Sequence, residues 1–233
     1  EWPPIETFTG PVAIAHGAFH VLPAARRARR MATVFDLCVL RCPDTRPPGN
    51  VRQHEVLLRH AVARADALVA ISESCKRDLV ELLGARPERV HVVYGGVNFD
   101  EFNRPSSPEE DTAAAALLQR HGIDGPYLLH LGTLEPRKNL PRLLEAYARV
   151  RQARTDCPKL VLGGGRGWMD EPVFETEARL GLGPHVVHTG YLAREDAVRL
   201  LRGAYACVYP SLYEGFGLPV LEAMAAGTQV LAS

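Results

Sequence analysis

The sequence lacks any apolar run approaching the roughly 18 residues that a membrane-spanning helix needs, and no signal-peptide pattern is visible in it. It also lacks net charge: 27 basic side chains face 27 acidic ones, so nothing electrostatic points to nucleic acid. Cysteine is scarce, and the five present (Cys38, Cys42, Cys75, Cys157, Cys207) are scattered and odd in number. That pattern excludes a disulfide framework and suits reduced thiols in a cytoplasmic compartment. Cys38 and Cys42 have no second ligand pair at zinc-site spacing, so no zinc site is read. There are no internal repeats, no heptads, no Asp-x-Asp and no recognisable Ser/His/Asp set. No Gly-x-Gly-x-x-Gly opens a helix after a strand, and Gly163-Gly-Gly-Arg-Gly167 has the wrong spacing, which counts against a nicotinamide-dependent oxidoreductase.

What is present is a chain of 233 residues, enough by length for about one and a half domains and for a sizeable core. It is organised around Pro210-Ser-Leu-Tyr-Glu-Gly-Phe-Gly-Leu-Pro-Val-Leu-Glu-Ala-Met-Ala-Ala-Gly227. The apolar run from Ala204 to Tyr209 reads as a buried strand, and Leu218 to Ala226 as a helix with Pro219 in its first turn and Gly227 after its end. Gly215, Phe216 and Gly217 then form a loop that aims backbone N–H groups, with those of Leu218, at a helix N-terminus suited to an anion. Glu214 and Glu222, with seven residues between them, place two carboxylates about one small concavity. Amides for phosphate beside acids for hydroxyls describe a site for a sugar nucleotide. A glycine loop in an ordinary α/β protein is the bland alternative.

Glu214-Gly-Phe-Gly-Leu-Pro-Val-Leu-Glu222 resembles the E-x7-E motif of the retaining glycosyltransferases of family four, and the resemblance extends over nearly the whole chain. It implies a GT-B fold: two Rossmann-like, doubly wound parallel-sheet α/β domains, both incomplete here. In the family, further sequence precedes residue 1 and one more strand with closing helices follows residue 233, so a fragment is expected. The implied division is an acceptor-side domain over 1–97, a linker with a short helix over 98–125 and a nucleotide-sugar (donor) domain over 126–233.

The resemblance also implies roles. Arg137 and Lys138 hold the donor diphosphate, and with Glu214 they are the expected catalytic set. Glu214 accepts from the sugar hydroxyls and Glu222 from the ribose, while Gly215, Phe216, Gly217 and Leu218 present amides. Gly132 is a further donor-binding residue, and the backbone at Gly190 and Tyr191 edges the base. No metal or other cofactor is expected, since GT-B enzymes hold the diphosphate with cations and amides. The implied partners are a nucleotide-sugar donor and a glycan, lipid-linked or small-molecule acceptor. Where the family carries Thr-Val-His-Asp, this chain has Thr33-Val34-Phe35-Asp36. Phenylalanine neither hydrogen-bonds nor exchanges a proton, so a nucleotide-binding module without turnover stands as the alternative function. The family's usual Pro is Gln229 here.

Along the chain, strands are read at Pro11–Ala15, within Met31–Leu40 (a strand running into a loop), and at Ala67–Ile71, Arg89–Tyr94, Pro126–Gly132, Lys159–Leu162, His185–His188, Ala204–Tyr209 and Gln229–Ala232. Helices alternate with them, which argues for parallel sheets. Ser72 reads as an N-cap and Gly84 as a C′ residue. Phe99–Asp111 reads as an aperiodic linker. Asn139 reads as the N-cap of the helix carrying Leu140, Leu143, Leu144, Tyr147 and Val150, with Arg137 and Lys138 projecting from the loop before it. Gly163-Gly-Gly165 is either a plain turn or a close backbone approach. His185 and His188 read as edge histidines. The basic run Ala24–Arg30 is either a solvated face or a contact for anionic lipid headgroups or an acidic acceptor, which would put the protein at the inner membrane face.

Overall fold

The computed structural model describes residues 3–154 and 156–233. They form two compact units: residues 3–96 together with Tyr213–Phe216, and the described residues of Val97–Leu212 together with Gly217–Ser233.

The first unit contains α1 (Glu6–Thr9), β1 (Ile14–Gly17), β2 (Arg29–Val34), α2 (Cys38–Arg41), α3 (Pro48–Arg64), β3 (Ala67–Ala70), α4 (Glu73–Leu83) and β4 (Val90–Val92). Its sheet runs β1-β2-β3-β4, all parallel. Ala32 and Val34 of β2, Leu68 and Ala70 of β3, and Leu58, Cys75 and Leu79 from the helices form its core. Burying each such leucine contributes roughly 1.5–3 kcal/mol. The run expected as a strand passing into a loop is strand to Val34, and the loop carries a helical turn at Cys38–Arg41. Ser72 caps α4, its Oγ accepting the Cys75 N–H at 3.0 Å, and Gly84 ends the helix at φ 65°. Burial pushes the Cys75 thiol up to about 12, so it stays protonated.

The basic run has an internal partner. The backbone N–H groups of Arg26, Arg27 and Ala28 all donate to the Glu6 carboxylate at 2.9–3.1 Å. Those bonds, that of Ala28 foremost, hold the Glu6 pKa down to about 2. A carboxylate depressed in the folded state contributes stability above its unfolded value, lost as the pH falls through the folded one. Glu6→Gln should therefore be less stable than wild type at neutral pH, with the gap closing from about pH 4.5 towards 2. Urea midpoints across that range check it, and a pH-independent gap would refute it.

The second unit contains α5 (Phe99–Asn103), α6 (Pro108–Arg120), β5 (Tyr127–Leu131), α7 (Leu140–Ala153), β6 (Lys159–Gly163), α8 (Glu171–Arg179), β7 (Val186–Gly190), α9 (Arg194–Gly203), β8 (Ala206–Tyr209), α10 (Leu218–Ala225) and β9 (Val230–Ala232). The sheet order is β7-β6-β5-β8-β9, again all parallel. Successive residues of each central strand enter different clusters: Leu129, Val161 and Cys207 pack with Phe102, Leu117 and Leu201, whereas Leu160 and Leu162 pack with Leu140, Leu144 and Val173. Both faces are covered, which is why these strands read as unbroken apolar runs. The segment expected to be an aperiodic linker instead carries α5, anchored by the fully buried Phe102, and the start of α6. Ser107 caps α6, its Oγ accepting from the Glu110 N–H at 3.3 Å, with Pro108 in the first turn.

Candidate functional site

In the second sheet, chain direction away from the start reverses between β5 and β8, the strands carrying the segments the sequence singles out. Open α/β sheets bind ligands at the carboxyl ends of their strands beside such a switch point. Here those ends lead into Gly132–Asn139 after β5 and Pro210–Leu212 after β8. The two segments are tied together: Leu212 N–H donates to Arg137 O at 2.9 Å, and Asn139 Nδ2 donates to Pro210 O at 3.1 Å.

Asn139 therefore does a different job from the one its position suggests. It stands directly before α7 but at φ 57°, in the left-handed region, and makes no side-chain capping bond. A side-chain cap requires extended backbone; asparagine is here for its tolerance of the left-handed conformation. Lys138 is likewise not a projecting loop residue. It ends a 3-10 turn, is only 6% exposed, and folds back over Gly132. Its Cε and Nζ lie 3.4 and 3.9 Å from the point where a Gly132 side chain would begin. Arg137 is also largely buried, its Nη2 donating to Glu135 Oε1 at 2.6 Å. The Glu135 carboxylate was not singled out in the sequence, where nothing marks it as more than a loop acid.

The triple glycine is a close approach. Gly132 N–H donates to Gly163 O at 2.8 Å, and Gly164 N–H to Gly190 O at 2.9 Å. A Cβ on Gly164 would lie 2.1 Å from Gly132 O. Thus Gly132, Gly164 and Gly190 form one stitched line of backbone. Tyr191, the next residue, is 88% exposed.

Gly217 stands before α10 at φ 90°, and its carbonyl accepts from Val220 and Leu221. Among the described residues no backbone acceptor takes the N–H of Gly217 or Leu218, and Pro219 has none to offer. Two donors therefore remain at the positive end of the helix. One turn on, Glu222 Oε1 accepts from Arg194 Nη1 at 2.7 Å.

The motif's remaining residues pack with the first unit. Tyr213 O–H donates to Asp78 Oδ2 at 2.7 Å and accepts the Leu37 N–H at 3.2 Å. Asp78, itself buried, also receives Arg41 Nε at 2.8 Å. Burial, then the bond to Asp78, pushes the Tyr213 phenol far above its usual range. Ser72 Oγ, besides capping α4, donates to Gly215 O at 2.5 Å. No larger residue fits at 215, because a Cβ there would lie 1.8 Å from Phe35 O. Glu214 is thus bracketed by two anchored neighbours, and the Phe216 ring lies 6.1 Å from that of Tyr94. Phe35 is 41% exposed and stacks on Phe19 at 5.9 Å. A cavity of about 990 Å³ in the same unit, lined by Ile5, Phe8, Leu22, Arg26 and Arg64 among others, includes none of the motif residues.

Among the described residues no three His, Cys, Asp or Glu side chains could share a metal ion, and no helix is long and apolar enough to cross a membrane. His188 is held by Glu177 at 2.6 Å and stacks on Phe174.

Known proteins match this architecture. Residues 116–233 match the family "Glycosyl transferases group 1", and residues 11–101 match "Glycosyltransferase Family 4". O-antigen chain mannosyltransferase B of Escherichia coli is 33% identical over 94% of this chain and 56% of its own length. D-inositol 3-phosphate glycosyltransferase of Xylanimonas cellulosilytica is 33% identical over 91% of this chain and 50% of its own. The chain thus spans about half the length of the curated relatives it matches. Among solved structures, sucrose-phosphate synthase from Thermosynechococcus elongatus superposes with a TM-score of 0.77 at 22% identity, covering 97% of this chain and 57% of that one. Anabaena HepE in complex with UDP and glucose superposes at 0.69 with 23% identity, covering 87% and 52%. With family models on both units and the same fold in its structural neighbours, the chain belongs to the group 1, family-four glycosyltransferases of GT-B fold.

Proposed function

We propose that the second unit binds a nucleoside diphosphate sugar, and that the protein transfers its hexose, of mannose or glucose type, to an acceptor hydroxyl with retention of configuration and without a metal. One observation carries the reading. Lys138 and the amides of Gly217 and Leu218, which meet no backbone acceptor among the described residues, follow the two strands that flank the switch point, with Glu222 one turn further into α10. A cation and a helix N-terminus suit a diphosphate, and a carboxylate suits the ribose hydroxyls. The sugar's anomeric carbon would lose its bond to the diphosphate oxygen and gain one to the acceptor oxygen. The acceptor proton would pass to a phosphate oxygen, leaving Arg137 and Lys138 to neutralise the charge that develops on the leaving group. The mannosyltransferase relative favours a hexose donor, and the UDP complex of HepE shows a neighbour of this fold holding such a nucleotide. The exposed Arg26, Arg27 and Arg29 suit a negatively charged acceptor or the lipid surface that carries one.

A second reading, nucleotide binding without turnover, is favoured by Phe35, which puts an apolar ring where the family has a proton-exchanging His. Titration of the chain with UDP, GDP and ADP, with and without EDTA, tests the common part. One nucleotide should bind, raise the melting temperature and be indifferent to EDTA. At about 100 times its dissociation constant it would stabilise the fold by about 2.7 kcal/mol. If none binds a folded chain, both readings fall. Release of free sugar from the matching nucleotide sugar, with its first-formed anomer read by NMR, separates them.

A further inference from the structure

Arg194, the first residue of α9, lies outside every motif, yet its guanidinium joins two carboxylates of the second unit. Nη1 donates to Glu222 Oε1 at 2.7 Å, while Nε donates to Glu101 Oε1 at 2.8 Å and Nη2 reaches Glu101 Oε2 at 3.4 Å. Its Cζ sits 4.8 Å above the ring of Phe102, which is wholly buried. The guanidinium is therefore fixed from three sides: a two-point grip by Glu101, a ring beneath it, and Glu222 at its remaining nitrogen. Such a fork is directional in a way a lysine ammonium is not. It engages only one oxygen of Glu222; among the described residues nothing bonds to Oε2, and the side chain keeps 22% of its exposure.

We infer that Arg194 is a positioning residue for nucleotide recognition: it clamps one oxygen of Glu222 so that the other is presented in a single rotamer to the ribose hydroxyls of the donor. The inference rests on the donor-site reading above and extends it to a residue that touches no ligand itself. Unclamped, a surface glutamate samples several rotamers, and fixing it on binding costs affinity. With the clamp, that ordering is already present in the empty protein. Glu101, which lies in the segment the sequence suggests is a linker, belongs to the same device, because it holds the far side of the guanidinium.

The test exploits ligands with and without the hydroxyls. UDP, GDP and ADP are each titrated against their 2′,3′-dideoxy counterparts, using wild type, Arg194→Met and Glu101→Gln, with circular dichroism melting to confirm the fold of each. Wild type should prefer the ribonucleotide by about tenfold, the scale of a hydrogen bond to a charged group. Arg194→Met should lose most of that preference, with the dideoxy affinity unchanged within about twofold. Glu101→Gln, which keeps the guanidinium but loosens its grip, should fall between. A preference that survives in Arg194→Met overturns the inference while leaving the donor site standing, as does a ribonucleotide bound more tightly by the variant, which would make Arg194 a competitor of the ribose. A wild type that binds both forms equally refutes the ribose role of Glu222 and the clamp with it. Failure of UDP, GDP and ADP alike to bind wild type refutes the donor site as a whole.

Discussion

Gly164→Ala should lower the melting temperature by about 10 °C, while Gly165→Ala next to it should change it by no more than about 2 °C. At 164 a Cβ would sit 2.1 Å from Gly132 O and 2.6 Å from its carbonyl carbon, and both are backbone atoms that no rotamer change can move aside. The residue also holds φ 140°, a conformation side-chain-bearing residues seldom adopt, at a cost of about 1–3 kcal/mol by itself. Relieving the clash would pull the Gly132 segment off β6, breaking the Gly132-to-Gly163 and Leu134-to-Gly165 bonds that continue the ladder past the strand ends. A total of about 3–5 kcal/mol follows, and at about 2–4 °C per kcal/mol for a chain of this size the shift is large. At Gly165 the added methyl meets nothing within 4 Å, so the neighbouring substitution isolates the contact from the general loss of glycine freedom. Equal melting of the two variants would mean that the glycines form a plain turn.

That contrast shows where the sequence was informative and where it could not be. Strands of the second sheet are legible because burial on both faces leaves short continuous apolar runs, and the helices because Leu140, Leu143, Leu144 and Tyr147 recur at helical spacing. Serine capping at 72 and glycine at 84 and 227 are equally local. Helix α5 is not legible: five residues cannot show a period, and tertiary burial of Phe102 stabilises it where local propensity does not. The side-chain environments are hidden for the same reason. Arg194 and Glu222 are 28 residues apart, Tyr213 and Asp78 are 135 apart, and no spacing rule connects them. Lys138 reads as a cation projecting from its loop because sequence gives charge and position but not the path of a side chain. Its burial over Gly132 appears only when the backbone folds.

Burial gives Lys138 the largest functional effect expected of any single side chain here. Lys138→Met should weaken binding of the preferred nucleoside diphosphate about 100-fold and leave binding of the corresponding nucleoside unchanged. An exposed ammonium exchanges water for phosphate with little net gain, as surface ion pairs do. An ammonium already stripped of much of its water, with its stem pinned against the end of β5, has already incurred the desolvation and ordering before the ligand arrives. Removing one partner of such a pair costs about 2–5 kcal/mol, of which about 2.7 corresponds to the factor of 100. Methionine keeps the length and apolar character of the stem, so packing over Gly132 should survive and melting should confirm it. The nucleoside control matters because a variant that merely distorted the loop would lose affinity for both ligands. If the diphosphate and the nucleoside weaken together, Lys138 supports the loop's shape; if neither changes, the cation that meets the phosphates is another residue, with Arg137, already engaged by Glu135, the next to replace. Loss of the diphosphate alone would assign Lys138 to the charge that develops as the sugar departs, and kcat for the sugar nucleotide should then fall by at least as much as the affinity.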